Sequence, residues 1–328
     1  MNNRYATALW HLDQNKSALQ RHPIPDLRED QILLQSQFSL ISSGTERLVA
    51  KGQVPEDLHS DMRVPGMEGS FLLPVKYGYS VVGKIISKCS LNGRYAHLLY
   101  PHQDLILTEI SALSLLPEGL SPKRACLTSN METALNAVWD SQVTIGDRVL
   151  ICGFGIIGAL VALVLSSMPA VSIEIAEKDS YRQKLAQQMG FRISTGNKAD
   201  FDLSFNTSSS ATGLQLCIDA VRREGKIIEL SWYGKKEIQL QLGGSFHYGR
   251  KQLISSQVSH IPYSKSPHIN FEKRKQIVFD LLKDPVYDSL ITTEIPFSES
   301  PLFFEQLRNG KDVPPGIGRL IYYPVFNV

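Results

Sequence analysis

Apolar and polar positions fall into two textures along the chain. In the first third, apolar residues come in short or alternating runs, at Ala6 to Leu9, Gln31 to Ser36, Tyr79 to Ile86, Tyr95 to Tyr100 and Leu105 to Thr108. Pro23, Pro25, Pro65, Gly66, Pro74, Gly78, Gly83 and Gly93 punctuate them. Short runs between turn residues predict strands, and their close spacing predicts a compact barrel-like or sandwich domain. Lys51 to Phe71 predicts a long loop, and long loops in compact domains are often functional.

After Leu120 the pattern becomes an alternation of helical and strand-like stretches. Ser121-Pro122 predicts a helix running through Trp139, with Ser121 as N-cap and Pro122 at the first helical position. A helix capped by Asp179 or Ser180 is expected to end at Gly190, with Tyr181, Leu185 and Met189 on one face. Asp202 to Phe205 reads as a strand. Gly213 to Arg223 reads as a helix with Leu214, Ile218 and Val221 inward, and Lys226 to Leu230 as the next strand. Strands alternating with helices predict a parallel, doubly wound sheet. The tail adds a helix at Phe271 to Lys283, one from Ser300-Pro301 to Gly310, and a strand at Arg319 to Tyr323.

One stretch organises the alternation. Arg148-Val-Leu-Ile-Cys leads into Gly153-Phe154-Gly155-Ile156-Ile157-Gly158, a second apolar run follows, and Val171 to Ala176 ends on Glu177. Strand, glycine turn, helix, strand and acid are the context that a dinucleotide-binding G-x-G-x-x-G requires. The first glycine permits the turn, the second admits a pyrophosphate to the helix N-terminus, and the third lets helix and strand approach. Glu177 stands where a carboxylate meets a ribose hydroxyl pair. Between Val149 and Leu165 no side chain is charged, but the run is short for a membrane span and holds three glycines.

Composition narrows the classes. The 328 residues suffice for two domains, each with its own core. Hydrophobic residues at 43% and charged residues at 20% are ordinary for a soluble globular chain. A net charge of +2 without a dense Lys/Arg block argues against nucleic acid, and Glu272-Lys-Arg-Lys275 reads as a solvated helix face. Cys89, Cys126, Cys152 and Cys217 are scattered and form no C-x-x-C pair, which disfavours a cysteine zinc site and a disulfide framework. With no apolar signal region at Met1 to Tyr5, a reducing cytoplasm is the expected compartment.

Ser43-Gly-Thr-Glu46, Gly78-Tyr-Ser-Val-Val-Gly83, the glycines at 153 to 158 and Gly225-Lys-Ile-Ile-Glu-Leu-Ser-Trp-Tyr-Gly234 together resemble the medium-chain dehydrogenase/reductase superfamily, the zinc alcohol dehydrogenase-like proteins. Ser43 to Leu48 with Gly52 and Pro55 looks nearest its bacteriochlorophyllide dehydrogenase and threonine dehydrogenase-like branch. The resemblance implies an α/β chain in which a Rossmann doubly wound parallel sheet joins a mainly β GroES-like catalytic domain. The GroES-like domain would take residues 1–122 and 268–328, the dinucleotide-binding domain residues 123–267. It also implies substrate in the cleft between domains and a homodimer built through the outer strand of the cofactor sheet.

The departures bear on the chemistry. Zinc-dependent members hold their metal through a Cys and a His-Glu pair at positions that are here Ser43, Tyr79 and Ser80. Hydroxyl and phenol are poor zinc ligands beside thiolate and imidazole, so no zinc is expected. A protein proton donor must then replace the Lewis acid. By resemblance Thr45 aligns with a proton-relaying hydroxyl, and Tyr79 faces the substrate; the plain alternatives are a loop threonine and a strand aromatic. Glu132 falls where some polyol dehydrogenases keep a carboxylate near the metal, its plain alternative being an ion pair with an arginine. His102, in Pro101-His-Gln-Asp104, could bear on the pocket, a surface-turn histidine being the commoner case, and Glu46 and Arg47 read as residues that order the loop or bind the pyrophosphate.

Glu177 favours NAD over NADP by repelling a 2′-phosphate, while the adjacent Lys178 works against that preference and keeps NADP possible. Asn206-Thr207-Ser208 ends a strand at the expected ligand edge of the sheet, Ser231-Trp232-Tyr233 follows the next strand, and Ser255-Ser256-Gln257-Val258 resembles a nicotinamide-lining segment; the plain alternative for all three is ordinary strand-end polar residues. The expected function is a zinc-independent NAD(P)-dependent oxidoreductase exchanging hydride with a small carbonyl or alcohol substrate, with no nucleic-acid or membrane partner. Two alternatives stand beside it: a zinc-free NADPH-dependent enone or quinone reductase, and a non-catalytic dinucleotide-binding sensor or partner subunit.

Overall fold

The computed structural model describes residues 4–195, 199–310 and 315–324. The chain forms two compact units, residues 1–129 with 279–328, and residues 130–278.

In the first unit the strand runs behave as their alternation predicts. Gln31–Ile41 is the longest strand and carries three neighbours. Leu105–Glu109 pairs with it antiparallel from Gln31 to Gln35, Val81–Ile85 from Leu34 to Ser39, and Gly318–Tyr322 from Phe38 to Ile41. The full order is Ile291–Pro296, Gly318–Tyr322, Gln31–Ile41, Val81–Ile85, Tyr95–Leu98, Ser114–Leu115. A second sheet of Ser17–Pro23, Tyr5–His11, Val75–Lys76 and Glu68–Gly69 completes the β part. Inward side chains Ile32, Leu34, Val81, Ile85, Ala96, Leu98 and Ile106 form one core cluster. Leu9, Ile41, Phe303, Phe304, Leu307 and Ile321 form another, so the C-terminal strand and the Ser300–Arg308 helix share a core with the first strands.

The second unit is a six-stranded parallel sheet ordered Arg192–Ile193, Ser172–Ala176, Arg148–Cys152, Phe201–Asn206, Val221–Glu229, Gln252–Ser255. Numbered along the chain, that is 3-2-1-4-5-6, the order of the doubly wound dinucleotide fold. The uncharged run after Gly155 is the helix Ile156–Ser166, nine of whose residues are buried. Its apolar surface is covered by protein, and no helix among the described residues is long and apolar enough to cross a membrane.

Several boundaries move for local reasons. The helix expected from Pro122 to Trp139 is two pieces, Pro122–Ala125 and Thr128–Ser141, and Ser121 makes no side-chain cap. Asp179 is the cap of Ser180–Gln188, accepting the Arg182 amide at 2.9 Å. In that helix Ala186 is buried, Leu185 and Met189 are half-buried, and Tyr181 on their expected face is exposed. The helix expected at 213–223 runs Ala211–Ala220, capped by Ser210. It stops early because Val221 already pairs with Phe201 in the sheet. Glu224, at φ 60°, then turns the strand before Gly225. The tail helices are likewise shorter than expected, Phe271–Leu281 and Ser300–Arg308.

Candidate functional site

The glycine turn of the second unit is built from contacts that leave no room for side chains. Gly153 has φ 96°, a left-handed conformation that favours glycine. A Cβ on Gly158 would lie 2.1 Å from the Gly153 carbonyl oxygen, so the helix can reach the strand only as glycine. Thr207, at the end of the neighbouring strand, braces the turn by donating its hydroxyl to the Gly153 carbonyl at 2.9 Å. A Cβ on Gly155 would meet nothing closer than an Arg182 guanidinium nitrogen at 3.9 Å. The middle glycine is therefore open to a close ligand, with a cation at its side and a helix N-terminus behind it. These features fit a pyrophosphate.

Glu177 caps this turn from the end of the second strand. One carboxylate oxygen accepts the Phe154 amide at 2.7 Å, and the other accepts the amides of Lys178 at 2.6 Å and Asp179 at 3.0 Å. The carboxylate is thus fixed in place before any ribose reaches it. Phe154 serves the turn in another way than expected. Its ring packs on Phe191 with centroids 5.9 Å apart and its amide is taken by Glu177, so it presents no free donor. Ile156 is in the core and Ile157 is half-buried. Lys178 is exposed and donates to Thr212 at 3.2 Å.

The strand ends beyond hold a polar network centred on Asn206, which is fully buried. Its Nδ2 donates to Glu229 at 2.8 Å and to the Tyr233 hydroxyl at 3.1 Å, while its Oδ1 accepts the Ser208 hydroxyl at 2.7 Å. Glu229 also accepts the Ser231 amide at 2.7 Å. Burial raises the Glu229 carboxyl above the usual carboxylate range, and the hydrogen bonds from Asn206 and Ser231 offset part of that. Glu229 was missed in the sequence, although a carboxylate inside Ile227-Ile-Glu-Leu230 was itself a signal. Trp232 is half-buried beside Glu229 and Tyr233. Ser256 and Gln257 are tied to the Thr128–Ser141 helix: the Ser256 hydroxyl donates to Asp140 at 2.6 Å, and the Gln257 carbonyl accepts from Asn136 at 3.3 Å.

Glu132 is buried, with one oxygen 3.3 Å from Arg274 Nε and the other 2.6 Å from Lys275 Nζ. Arg274 goes on to Asn136 at 3.1 Å and the Val258 carbonyl at 2.7 Å. Glu132 therefore ties its helix to the helix Phe271–Leu281 through the ion pair with an arginine that was its plain alternative.

In the first unit, Ser42 precedes the helix Ser43–Ala50, which places Thr45 and Glu46 in its first turn. Tyr79 is half-buried, and its hydroxyl hydrogen-bonds with Ser42 and Thr45. Burial and then the Glu46 carboxylate push its phenol up to about 12, against the pull of those two hydroxyls. Glu46 is fully buried, accepting the Ser42 amide at 2.8 Å and lying 2.7 Å from His102 Nε2. His102 is no surface-turn residue: it is fully buried, and its Nδ1 meets Ser39 Oγ at 2.7 Å, which in turn meets the Tyr323 hydroxyl at 2.8 Å. A Cβ on Gly78 would lie 3.0 Å from that imidazole, which gives the glycine before Tyr79 its reason.

The donor set at the expected zinc positions does not fit a cation. Ser43 Oγ accepts from the buried guanidinium of Arg319 at 3.1 Å, so a positive charge already stands there. Ser80 is buried, donating to the Cys126 carbonyl at 2.7 Å beside His97. Ser129 donates to the Tyr79 carbonyl at 2.9 Å. Among the described residues no three His, Cys, Asp or Glu side chains group closely enough to hold a metal ion.

The six-stranded sheet and its glycine turn define a Rossmann-type dinucleotide fold, carried in one chain with a mainly β unit of the GroES-like kind. That pairing is the architecture of the medium-chain dehydrogenase/reductases, and the chain's likeness to their zinc alcohol dehydrogenase-like members holds in sequence and in fold. L-idonate 5-dehydrogenase (NAD(P)(+)) of Escherichia coli (strain K12) is 22% identical over 270 residues, 63% of this chain and 78% of that protein. The solved L-idonate 5-dehydrogenase from Escherichia coli superposes with a TM-score of 0.76 at 16% identity, covering 98% of this chain and 99% of that one. Sorbitol dehydrogenase of Bacillus subtilis (strain 168) is 22% identical over 166 residues, so the chain spans 46% of itself and 45% of that relative. A putative zinc-binding dehydrogenase from Sinorhizobium meliloti 1021, solved bound to NADP, gives a TM-score of 0.75 at 14% identity over 97% of this chain and 99% of that one. No family model matches the chain.

Proposed function

We propose that the chain is an NAD(P)-dependent oxidoreductase of the medium-chain type that works without zinc on a small carbonyl or alcohol. The observation that carries the reading is the glycine turn, open at Gly155, closed at Gly158 and capped by Glu177. Gly153, Gly155, Gly158 and the helix behind them would hold the pyrophosphate. Glu177, already oriented by three backbone amides, would accept from the adenosine ribose and disfavour a 2′-phosphate, which makes NAD the preferred cofactor. Named relatives that are dehydrogenases, one of them solved with NADP, support the class.

A bound nicotinamide supplies or accepts the hydride; the chain's own part is the proton. Tyr79 is the proposed donor. A phenol held up to about 12 stays protonated across the physiological range, and it can give a hydrogen bond and then a proton to an alkoxide as charge develops there. Thr45 and Ser42, hydrogen-bonded to the same phenol, orient it and can pass a proton back to it. Arg319, behind Ser43, sets a fixed positive charge where zinc-dependent relatives place their metal.

A binding-only reading has one observation in its favour: Ser43 and Ser80, at former metal positions, both have protein partners. NADH and NADPH oxidation against a panel of aldehydes, ketones and quinones separates the readings. Turnover of carbonyls with NADH supports the oxidoreductase. NADH binding with no turnover on any member of the panel supports a sensor, and NADPH-dependent reduction confined to quinones or enones supports the C=C reductase. Stoichiometric zinc by metal analysis would sink zinc independence.

A further inference from the structure

Two of the cysteines meet inside the second unit, as free thiols. Cys152 is the last residue of the strand Arg148–Cys152, directly before the glycine turn, and Cys217 stands on the helix Ala211–Ala220. Their side chains share one core cluster with Leu150, Leu214 and Ile218, and the two thiols hydrogen-bond to each other. Cys89 and Cys126 lie in the first unit, one exposed and the other buried.

The paired thiols differ as a disulfide-forming pair requires. Cys217 is fully buried, whereas Cys152 keeps 6% of its surface exposed at the carboxyl end of its strand. The hydrogen bond with Cys217, joined by one with Ser208, draws the Cys152 thiol below the ordinary range against its burial. Burial pushes the Cys217 thiol well above that range. The thiolate is the form that attacks an oxidant, so Cys152 reacts first and Cys217 resolves it from behind. No guest has to fit between them, because a disulfide draws the sulfurs together, to about 2 Å.

The surroundings decide what that closure moves. The Cys152 carbonyl accepts the Thr207 amide at 2.8 Å and the Thr207 hydroxyl at 3.1 Å, and its strand has parallel neighbours on both sides. The strand is held, so the shift falls to the helix. That helix has no slack near its start, where a Cβ on Gly213 would lie 2.0 Å from Ser208 Oγ. Drawing Cys217 towards Cys152 presses the helix on Ser208 and so on Thr207, the brace of the Gly153 carbonyl.

We propose that Cys152 and Cys217 are a peroxide-sensitive pair whose disulfide loosens the glycine turn. The Cys152 thiolate attacks one oxygen of hydrogen peroxide, the O–O bond breaks, and hydroxide leaves and takes up a proton to become water. The Cys217 sulfur then attacks the Cys152 sulfenic sulfur. The S–S bond forms, the S–O bond breaks, and the leaving hydroxide takes the Cys217 proton as a second water. The two thiols are oxidised and the peroxide is reduced. The consequence for NADH rests on the dinucleotide reading above; the disulfide itself does not.

The test treats the full reduced chain with hydrogen peroxide. Expected are loss of the mass of two hydrogens and a proteolytic map that joins Cys152 to Cys217. NADH affinity should fall about 10-fold by calorimetric titration and return with dithiothreitol. Hydrogen exchange of the 153–158 amides should quicken on oxidation, which reads the turn without any ligand. Cys217→Ala should stop at a Cys152 sulfenic acid that dimedone traps, and Cys89→Ser should behave as wild type. An unchanged mass, added oxygen without a cross-link, or a cross-link through Cys89 or Cys126 would overturn the pair. A Cys152–Cys217 link with unchanged exchange overturns its effect on the turn. If the reduced wild type binds no NADH, the dinucleotide reading has failed, while mass, map and exchange still decide the redox pair.

Discussion

Glu177 accepts the backbone amide of Phe154 at 2.7 Å, so the acid at the end of the second strand holds the glycine turn of the first. One residue thus shapes the cradle and, in the proposed function, would also meet the ribose. Glu177→Ala is expected to weaken NADH by about 10-fold or more, since hydrogen bonds to a charged acceptor contribute about 1.5–3 kcal/mol. NADPH should lose less, because its 2′-phosphate no longer meets a carboxylate. Fluorescence titration with both cofactors checks this, and an unchanged NADH to NADPH ratio would refute the NAD preference.

The contact of Gly158 with Gly153 gives a sharper steric test. A methyl group at Gly158 would sit 2.1 Å from a backbone carbonyl, and Thr207 closes the other side at 2.8 Å. Gly158→Ala must therefore push helix from strand, costing about 1–3 kcal/mol as overpacking does. It should lower the denaturation midpoint and abolish NADH binding together. Gly155→Ala, which meets only a flexible arginine tip, should keep the stability and lose affinity. A Gly155→Ala chain that binds NADH normally would show that the ligand does not approach there.

The glycine turn and its acid could be read from the sequence because their chemistry is local: each residue acts on neighbours within one strand–helix–strand unit. His102 could not. A histidine between Pro101 and Gln103 has the polarity of a surface turn, and its burial depends on Glu46 and Ser39, which are 56 and 63 positions away. Arg319 had the same difficulty, since nothing beside it in the sequence announces Ser43. The helix Ala211–Ala220 was expected to reach Arg223 because its apolar spacing continues through Val221. Sheet pairing with Phe201 takes that residue first, so a tertiary contact overrides the local period. Glu132 had its ion pair weighed as the plain reading, but only the fold could supply Arg274 and Lys275 as partners.

Those partners make Glu132 a stability residue. Glu132→Ala leaves Arg274 with its charge buried, and breaking a buried pair from one side costs about 3–5 kcal/mol. The bonds of Arg274 to Asn136 and Val258 place the expected loss near the lower end. Urea denaturation should show it, whereas kcat of the folded fraction should stay within about twofold if the carboxylate serves only its ion pairs. A large fall in kcat with unchanged stability would restore a catalytic role.

Tyr79 carries the last prediction, with both a rate and a pH signature. Tyr79→Phe keeps the ring and removes the proton donor, so carbonyl reduction should fall about 10²–10⁴-fold in kcat while NADH affinity holds. For the wild type, the acid form of the phenol persists until the pH approaches about 12, so this group imposes no basic limb on kcat below that point. The same shift acts on stability. The folded value lies above the value near 10 of an unfolded tyrosine, so folding favours the protonated phenol. That contribution is complete below about pH 10 and is lost as the pH rises through about 12. Tyr100, Tyr233 and Tyr287, also pushed up to about 12 by burial, add in the same direction. Melting temperatures should accordingly fall between these limits, and Tyr79→Phe should flatten part of the fall. A basic limb in kcat near pH 10 that disappears in Tyr79→Phe would overturn the raised phenol while keeping the donor, whereas an unchanged kcat in Tyr79→Phe would sink the donor role.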